Sequence, residues 1–265
     1  MGRDMAAAKG TYVYAVVAAD TRPRLTRVPA GLAGAGRVRL LDAGPNLYVV
    51  VADAPLDRYG EAAISRGLGD LDWVSRAAIA HEAVVEAFTG ETAVLPMKLF
   101  TIFMNDARAL AHVHGERTRI AAMVKRVANH QEWGVRVVLD RVHAANAQAT
   151  PATARKAQPA ASGLAYLAQK KAQRDAAAEL ATNARQTVAA LYDKLSARAR
   201  DARRRPASEM PIDGGPLLLD AAFLVPRARA ASFQTLTARE AKSLERQGYG
   251  LTVTGPWPPY TFVKD

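Results

Sequence analysis

The first half of the chain opens with segments whose apolar residues follow the two-residue period of strands. Residues 11–18, TYVYAVVA, are β-branched or aromatic almost throughout, which is typical of a strand buried on both faces. Two shorter extended runs follow at 38–42 and 47–52, separated by the turn sequence GPN. These patterns predict a long buried strand followed by a hairpin.

Amphipathic segments with a helical period come next. Helices are predicted over 70–88 and 105–129, because apolar residues recur there at three- and four-residue steps and an Asp or Asn at each start can cap the helix. Extended segments are predicted at 94–103, whose proline indicates a sheet edge or a bulge, and at 132–139. This order of elements predicts an α+β sandwich with helices on one face of an antiparallel or mixed sheet.

The second half begins with a change of composition. Residues 144–161 contain two prolines and no large apolar side chain, which is typical of a linker. A long Ala-rich helix is predicted over 162–200, with an apolar seam too discontinuous for a coiled coil. A polar connection over 201–216 then leads to a strand, a helix and a final strand between 217 and 254. Helix, strand, helix, strand is half of a ferredoxin-like arrangement.

The predicted fold class is therefore α+β with two domains. We expect a disordered N-terminus at 1–10 and an N-terminal α+β domain at 11–143. The linker at 144–161 then leads to a C-terminal ferredoxin-like α+β domain at 162–265, which includes the long helix.

Composition narrows the class of protein. Apolar residues make up 49% and charged residues 23% of the chain, which is ordinary for a folded globular protein. The absence of cysteine excludes disulfides, thiolate zinc sites and a cysteine nucleophile, and it indicates a reducing cytoplasmic compartment. Neither a signal-peptide core nor an apolar run long enough for a membrane span is expected.

The net charge of +11 is concentrated in the long helix and its extension. Residues 162–205 carry ten basic and four acidic side chains. One interpretation is a solvated helix face, and the alternative is a nucleic-acid-binding module that uses this basic helix. Few aromatic residues are interleaved with the charges, so a base-stacking platform is not indicated.

Motifs that carry chemistry are absent or incomplete. His81 and Glu82 resemble the start of a zinc-protease motif, but Val85 stands where the second histidine is required. Glu86 follows Glu82 by four residues and can share its face, as paired carboxylates do in acid-base sites. The alternative is that both are surface carboxylates and that His81 packs against the sheet. No GxSxG, GxGxxG or phosphate-binding loop is present, so we predict no catalytic residue, metal site or cofactor.

The proline- and aromatic-rich run TGPWPPYTF at 254–262 is unusual for the end of a chain. An exposed polyproline ligand needs a polar tail, whereas here bulky aromatics surround the prolines. We interpret the run as a structural clasp whose Trp257, Tyr260 and Phe262 cover the core of the C-terminal domain. Lys98 either contacts an acidic partner or faces solvent from an alternating strand. The candidate structural or partner-contact residues are Lys98, Phe100, Trp133, Trp257, Pro258, Tyr260 and Phe262.

Six segments taken together resemble a known family. HEAVVEAF, VLPMKLFTIF, EWGVRVVLD, SGLAYLAQKKAQRD, LLLDAAFLVPR and TGPWPPYTF occur in the order and approximate spacing of the gas vesicle accessory proteins of the F/L family. The resemblance extends over nearly the whole chain. It departs from the family at Phe100, where members usually carry glycine, and in the strongly basic charge, since members are commonly acidic.

The resemblance implies a non-enzymatic, cytoplasmic and gas-vesicle-associated protein that is needed for vesicle assembly. Family members bind the small hydrophobic shell protein and other accessory proteins. They consist of two α+β domains, of which the C-terminal one is related to the ferredoxin fold. The resemblance implies no cofactor and no catalytic residue. We also expect no nucleic-acid partner and no membrane partner.

Overall fold

The computed structural model describes residues 8–140, 163–206 and 215–263. Its helices and strands form two compact units, one of Met1–Glu132 with Pro256–Asp265 and one of Trp133–Gly255. The division falls inside a strand rather than in the expected linker, which lies outside the described residues. Both units combine helices with a sheet, and the α+β class predicted from the sequence is confirmed.

The first unit is built on a five-stranded sheet. Its order is β2-β3-β1-β4, with β5 also pairing to β1, and all the pairings are antiparallel. The central strand is buried from Gly10 to Ala18, as its apolar run predicts, and β2 and β3 form the predicted hairpin. The strands are β1 (Lys9–Ala18), β2 (Arg39–Asp42), β3 (Leu47–Pro55), β4 (Ala93–Pro96) and β5 (Ile102–Phe103).

Five helices complete this unit: α1 (Leu56–Tyr59), α2 (Glu61–Gly67), α3 (Leu71–Glu86), α4 (Asp106–Gly115) and α5 (Arg117–Val127). Both predicted N-caps are present, since Asp70 accepts a hydrogen bond from the Trp73 amide and Asn105 accepts one from the Arg108 amide. The helix predicted over 105–129 is divided into α4 and α5 at Glu116, directly after a glycine. No helix was predicted where α1 and α2 lie.

The segment predicted as one extended run, 94–103, forms two short strands with a turn between them. The turn is closed by a hydrogen bond from the Thr101 amide to the Lys98 carbonyl. Phe100 has a φ of 65°, in the left-handed region that favours glycine. Its ring stacks on Trp73 with centroids 5.0 Å apart. The prediction was wrong here because the long-range aromatic contact stabilises a backbone conformation that the alternating pattern does not encode.

The second unit contains a four-stranded sheet in the order β7-β8-β6-β9. Its elements are β6 (His130–Leu139), α6 (Gly163–Ser196), β7 (Asp201–Arg204), β8 (Leu217–Pro226), a 3-10 turn (Arg227–Arg229), α7 (Ala230–Glu245) and β9 (Tyr249–Trp257). This succession is that of a ferredoxin-like domain. The strand that we assigned to the N-terminal domain, β6, pairs in this sheet, and β7 lies in the segment predicted as a polar connection.

In the part of α6 whose side chains the structure describes, residues 166–196, the C-terminal half packs against the sheet. Residues 166–179 are exposed on every side of the helix. The buried seam includes Ala184, Val188, Leu191 and Leu195 and joins the core of the second unit. An Ala-rich sequence can maintain an exposed helical segment because alanine has the highest intrinsic helix propensity.

The C-terminal tail belongs to the first unit, not to the second, whose core we predicted it to cover. Glu132 accepts hydrogen bonds from the amide and the hydroxyl of Thr261, at 2.7 and 2.6 Å. Tyr260 packs against the first core and Phe262 is fully buried. Trp257 is only half-buried, so Phe262 is the main buried aromatic residue of the tail. The carboxylate that binds the tail is 129 residues away, which no local pattern reveals.

A polar pair lies inside the apolar core of the first unit. Tyr12 is fully buried and its hydroxyl lies 2.7 Å from His81 Nδ1. The Phe100 amide donates to the same hydroxyl oxygen at 3.2 Å. The Tyr12 hydroxyl thus joins the Phe100 amide and the imidazole of His81 in one buried hydrogen-bonded group. Burial lowers the pKa of His81 to about 4, although the Met97 backbone opposes this shift.

The buried imidazole predicts a loss of stability on acidification. In the unfolded chain His81 binds a proton near its ordinary pKa of 6.5, whereas in the folded chain it does so only near pH 4. The free energy of unfolding contributed by this group is therefore constant above pH 6.5 and decreases between pH 6.5 and 4, by about 3 kcal/mol in total. The measurement is urea denaturation of the wild type and of His81→Gln across this range. The difference in free energy of unfolding between the wild type and His81→Gln should change by this amount between pH 6.5 and 4. A difference that stays constant over this range would contradict a neutral buried imidazole.

The contacts of the C-terminal tail predict that alanine substitutions of its aromatic residues lower stability by different amounts. Phe262→Ala should lower the free energy of unfolding of the first unit by about 3–5 kcal/mol, because a fully buried ring is removed. Trp257→Ala should have a clearly smaller effect, because its side chain is half-exposed. Thermal unfolding midpoints of both variants measure this. A larger loss for Trp257→Ala would show that the tail packs differently.

Candidate functional site

The first unit contains a groove of about 960 Å³. It lies between α3, the turn after β4, the helices α4 and α5, and the C-terminal tail. Its walls are predominantly apolar, which is typical of surfaces that bind an apolar ligand or segment. The main apolar lining residues are Leu95, Met97, Leu99, Phe103, Ile120 and Met123.

Three parts of the chain place polar side chains in this groove. On α3, Ala78, His81 and Glu82 have the spacing of one helix face and all line the groove. The turn after β4 contributes Lys98, which is exposed, and the tail contributes Tyr260. The tail that completes the fold of the first unit thus also forms part of the groove wall.

The two walls of the groove differ in charge. On the side of α4 and α5, Glu116 and Arg119 form an ion pair at 3.2 Å. On the side of α3, Glu82 lines the groove and Glu86 lies one helical turn further on. Burial raises the pKa of the Glu82 carboxyl, and Glu86 raises it further. Burial also raises the pKa of Tyr260, with additional contributions from Glu82, Glu86 and Glu132. This corner of the groove is therefore an acidic one.

His81 lines the same groove but is itself only 4% exposed. Its Nδ1 lies 2.7 Å from the Tyr12 hydroxyl, and the Met97 backbone also interacts with the ring. The groove thus combines apolar walls with partly buried carboxylates. Such an arrangement can bind a segment that is apolar and carries a few polar groups.

The seven candidate residues predicted from the sequence are distributed over the molecule. Lys98 and Tyr260 line the groove. Phe100 stacks on Trp73 in the first core, while Pro258 and Phe262 are buried in the tail and Trp257 is half-buried. Trp133 lies in the core of the second unit, 6.0 Å from Phe233, and has no part in the groove.

Other groove residues were not found from the sequence. Ile120 and Met123 belong to the apolar stripe of α5, and a stripe of this kind does not distinguish a core face from a binding face. The four-residue spacing of Glu82 and Glu86 is the one signal in the sequence for this end of the groove, and of the two residues Glu82 lines it.

The described residues were also searched for metal-binding clusters and for membrane-spanning helices. Among residues 8–140, 163–206 and 215–263 there is no group of three or more His, Asp or Glu side chains that can hold a metal ion. No helix in the part of the chain that the structure describes has the length and apolar character needed to cross a bilayer.

The family profile and the similar proteins of known sequence agree on one family. The sequence profile of the family described as "Gas vesicle synthesis protein GvpL/GvpF" matches residues 10–264. Gas vesicle protein L of Streptomyces sp. (strain CB03234) is 32% identical over 257 residues, which cover 95% of this chain and 92% of that protein. Gas vesicle protein F of the same strain is 30% identical over 263 residues, covering 96% and 99% of the two chains.

Solved structures agree with this at the level of the fold. The gas vesicle protein GvpF from Anabaena sp. PCC7120 is similar with a TM-score of 0.68 and 17% identity, covering 97% of both chains. GvpF from Microcystis aeruginosa is similar with a TM-score of 0.65 and 15% identity, covering 96% of this chain and 99% of that one. The match of the family profile, supported by both relatives, shows that this chain belongs to the GvpL/GvpF family of gas vesicle synthesis proteins.

Proposed function

We propose that this protein assists gas vesicle assembly without catalysing a reaction, by binding the small hydrophobic shell protein in the groove of its first unit and by contacting other accessory proteins. It would act in the cytoplasm and at the forming vesicle. The observation that carries the proposal is the family match over residues 10–264, and the apolar groove supplies a surface for the interaction.

The physical argument concerns solubility. A small hydrophobic subunit exposes apolar surface before it is incorporated into a shell, and such surface aggregates in water. A partner that covers part of this surface needs an apolar depression with a polar rim and no reactive groups. The groove fits this description, because its floor is apolar and its charged residues, among them exposed Lys98, are at least partly accessible.

The alternative of nucleic-acid binding through the long helix receives less support. Of the ten basic side chains at 162–205, three form ion pairs within the protein, namely Lys194 with Glu240, Arg203 with Asp201 and Arg205 with Asp220. The stretch 166–179, which is exposed on every side, has a net charge of only +1, and this gives weak attraction to a polyanion. We favour the interpretation of a solvated helix face.

A pair of neighbouring substitutions on α5 tests the proposed function. Met123 lines the groove and is half-buried, whereas Ala122 beside it is exposed and does not line the groove. Met123→Glu should reduce retention of the co-expressed shell protein in a pull-down by on the order of tenfold or more, because a carboxylate is placed in an apolar contact. Ala122→Glu adds the same charge to the same helix and should retain the shell protein like the wild type.

Two results would count against the proposal. Equal retention by wild type and Met123→Glu would show that the groove does not hold the shell protein. No retention by the wild type, together with DNA binding that weakens steeply with added salt, would favour the alternative function instead. Thermal unfolding of both variants checks that the substitutions leave the fold intact.

A further inference from the structure

The second unit has an apolar groove of its own, at the point where α6 leaves the sheet. This α6 groove, of about 660 Å³, is bounded on the helix side by Leu180 and Ala181 and on the sheet side by Leu139 and Leu218. The strands meet there, because the Leu139 amide donates to the Pro216 carbonyl at 3.0 Å. Leu180 and Leu218 are only half-buried, so apolar surface stays accessible between the helix and the sheet.

Two arginines form the charged rim of the α6 groove. Arg185 belongs to α6 and Arg204 ends β7, and both are exposed and line the groove. No carboxylate of the described ranges lines it, and neither arginine forms an ion pair within the part of the chain that the structure describes. By contrast, the neighbours of Arg204 on both sides, Arg203 and Arg205, are paired with carboxylates. The rim therefore presents two positive charges to whatever occupies the groove.

The guanidinium of Arg204 is held in place by an aromatic ring. Its Cζ lies 4.4 Å from the centroid of the Tyr192 ring. The Tyr192 hydroxyl donates to the Ala202 carbonyl at 3.0 Å, which fixes the ring against β7. A guanidinium that stacks by one face keeps the N–H groups at its edge available, and these match the two oxygens of a carboxylate. Arg204 is thus oriented before a ligand binds, which lowers the entropic cost of binding.

Strand addition to β7 is disfavoured, although β7 lies at the edge of the sheet. The Ala202 amide donates to the Asp201 carboxylate at 2.9 Å, and the Ala202 carbonyl accepts from Tyr192. Both backbone groups are therefore already engaged within the protein, which is one way in which an edge strand is closed to another chain. An occupant of this region must bind through its side chains, in the α6 groove.

We propose that the α6 groove binds a segment of another accessory protein that presents apolar side chains to the groove and an aspartate or glutamate to Arg185 and Arg204. The inference rests on the proposed function, since it names the site of the accessory-protein contacts. Charge complementarity selects this occupant, because an acidic side chain meets two cations and a basic one is repelled. The apolar walls favour a polypeptide over a nucleic acid, whose phosphates would leave them uncovered.

Two glutamate substitutions on α6 test the groove. Ala181 is exposed and lines it, whereas Ala190 is exposed and does not. Each accessory protein encoded with the shell protein is co-expressed with this protein, and its retention in a pull-down is measured. Ala181→Glu should reduce retention of one of them by on the order of tenfold or more, because the new carboxylate engages the arginines and repels the acidic segment. Ala190→Glu adds the same charge to the same helix and should retain that partner like the wild type.

The charged rim is tested by Arg185→Gln with Arg204→Gln. This double variant should weaken retention of the same partner by on the order of tenfold, and added salt should weaken retention by the wild type more than by the variant. The control, Arg198→Gln with Arg246→Gln, removes the same charge from exposed positions of the second unit that do not line the groove. It should retain the partner like the wild type. Equal weakening by both double variants would show a general effect of net charge and would overturn the inference.

A double-mutant cycle identifies the acidic residue of the partner. In the retained accessory protein, each Asp is replaced by Asn and each Glu by Gln in turn. One such substitution should weaken retention by on the order of tenfold with the wild-type protein and should have little further effect with Arg185→Gln, Arg204→Gln. If every substitution weakens retention equally with both proteins, no carboxylate of the partner meets these arginines and the inference fails.

The outcomes separate the inference from the proposed function. If the wild type retains an accessory protein and Ala181→Glu retains it equally well, the accessory contact lies elsewhere and only the inference fails. If the wild type retains none, the accessory contact of the proposed function fails with it, while the shell-protein test with Met123→Glu is independent of both.

Two other occupants of the α6 groove would also overturn the inference. A dimer of the wild type alone in analytical ultracentrifugation that Ala181→Glu dissociates would place a second copy of this chain in the groove. Binding of a DNA oligonucleotide that Arg185→Gln with Arg204→Gln abolishes, with retention of the accessory protein unchanged, would assign the two arginines to a nucleic acid.

Discussion

The hydroxyl group of Tyr12 joins the three parts of the first unit that form the groove. Tyr12 lies in the central strand, its hydroxyl oxygen accepts a hydrogen bond from the Phe100 amide, and it lies 2.7 Å from Nδ1 of His81 on α3. The turn after β4 and the helix α3 are thereby positioned against the same residue. Because a buried hydroxyl must satisfy its hydrogen bonds, these contacts fix the geometry more strictly than apolar packing alone.

The turn held by Tyr12 accommodates a phenylalanine where the resemblance led us to expect glycine. Phe100 occupies a left-handed backbone position, and its ring is stacked on Trp73. A non-glycine residue in this region costs on the order of 1 kcal/mol. The aromatic contact and the hydrogen bond to Tyr12 offset that cost. The same turn places Met97, Lys98 and Leu99 along the groove, so the substitution preserves the wall that the proposed binding surface needs.

The C-terminal tail links fold and function in the same unit. Glu132 binds Thr261 through both of its oxygens, and the buried ring of Phe262 secures the tail beyond that contact. Tyr260 is thereby held in the groove wall beside the acidic corner formed by Glu82 and Glu86. A segment that looked like a recognition motif is thus mainly a structural one, with one residue exposed to a ligand.

The sequence by itself determined the class of the fold, most of its elements and the family. The apolar run of β1, the hairpin, both helix caps and the strand and helix near the C-terminus follow from residue type and period, which are local properties. Only the tertiary structure decided that β6 pairs in the second sheet, that Phe100 turns the chain and that the tail returns to Glu132. It also decided which face of α5 lines the groove. These features depend on contacts between residues far apart in the chain, and a local pattern carries no information about which distant partner a strand edge, a carboxylate or an aromatic ring will meet.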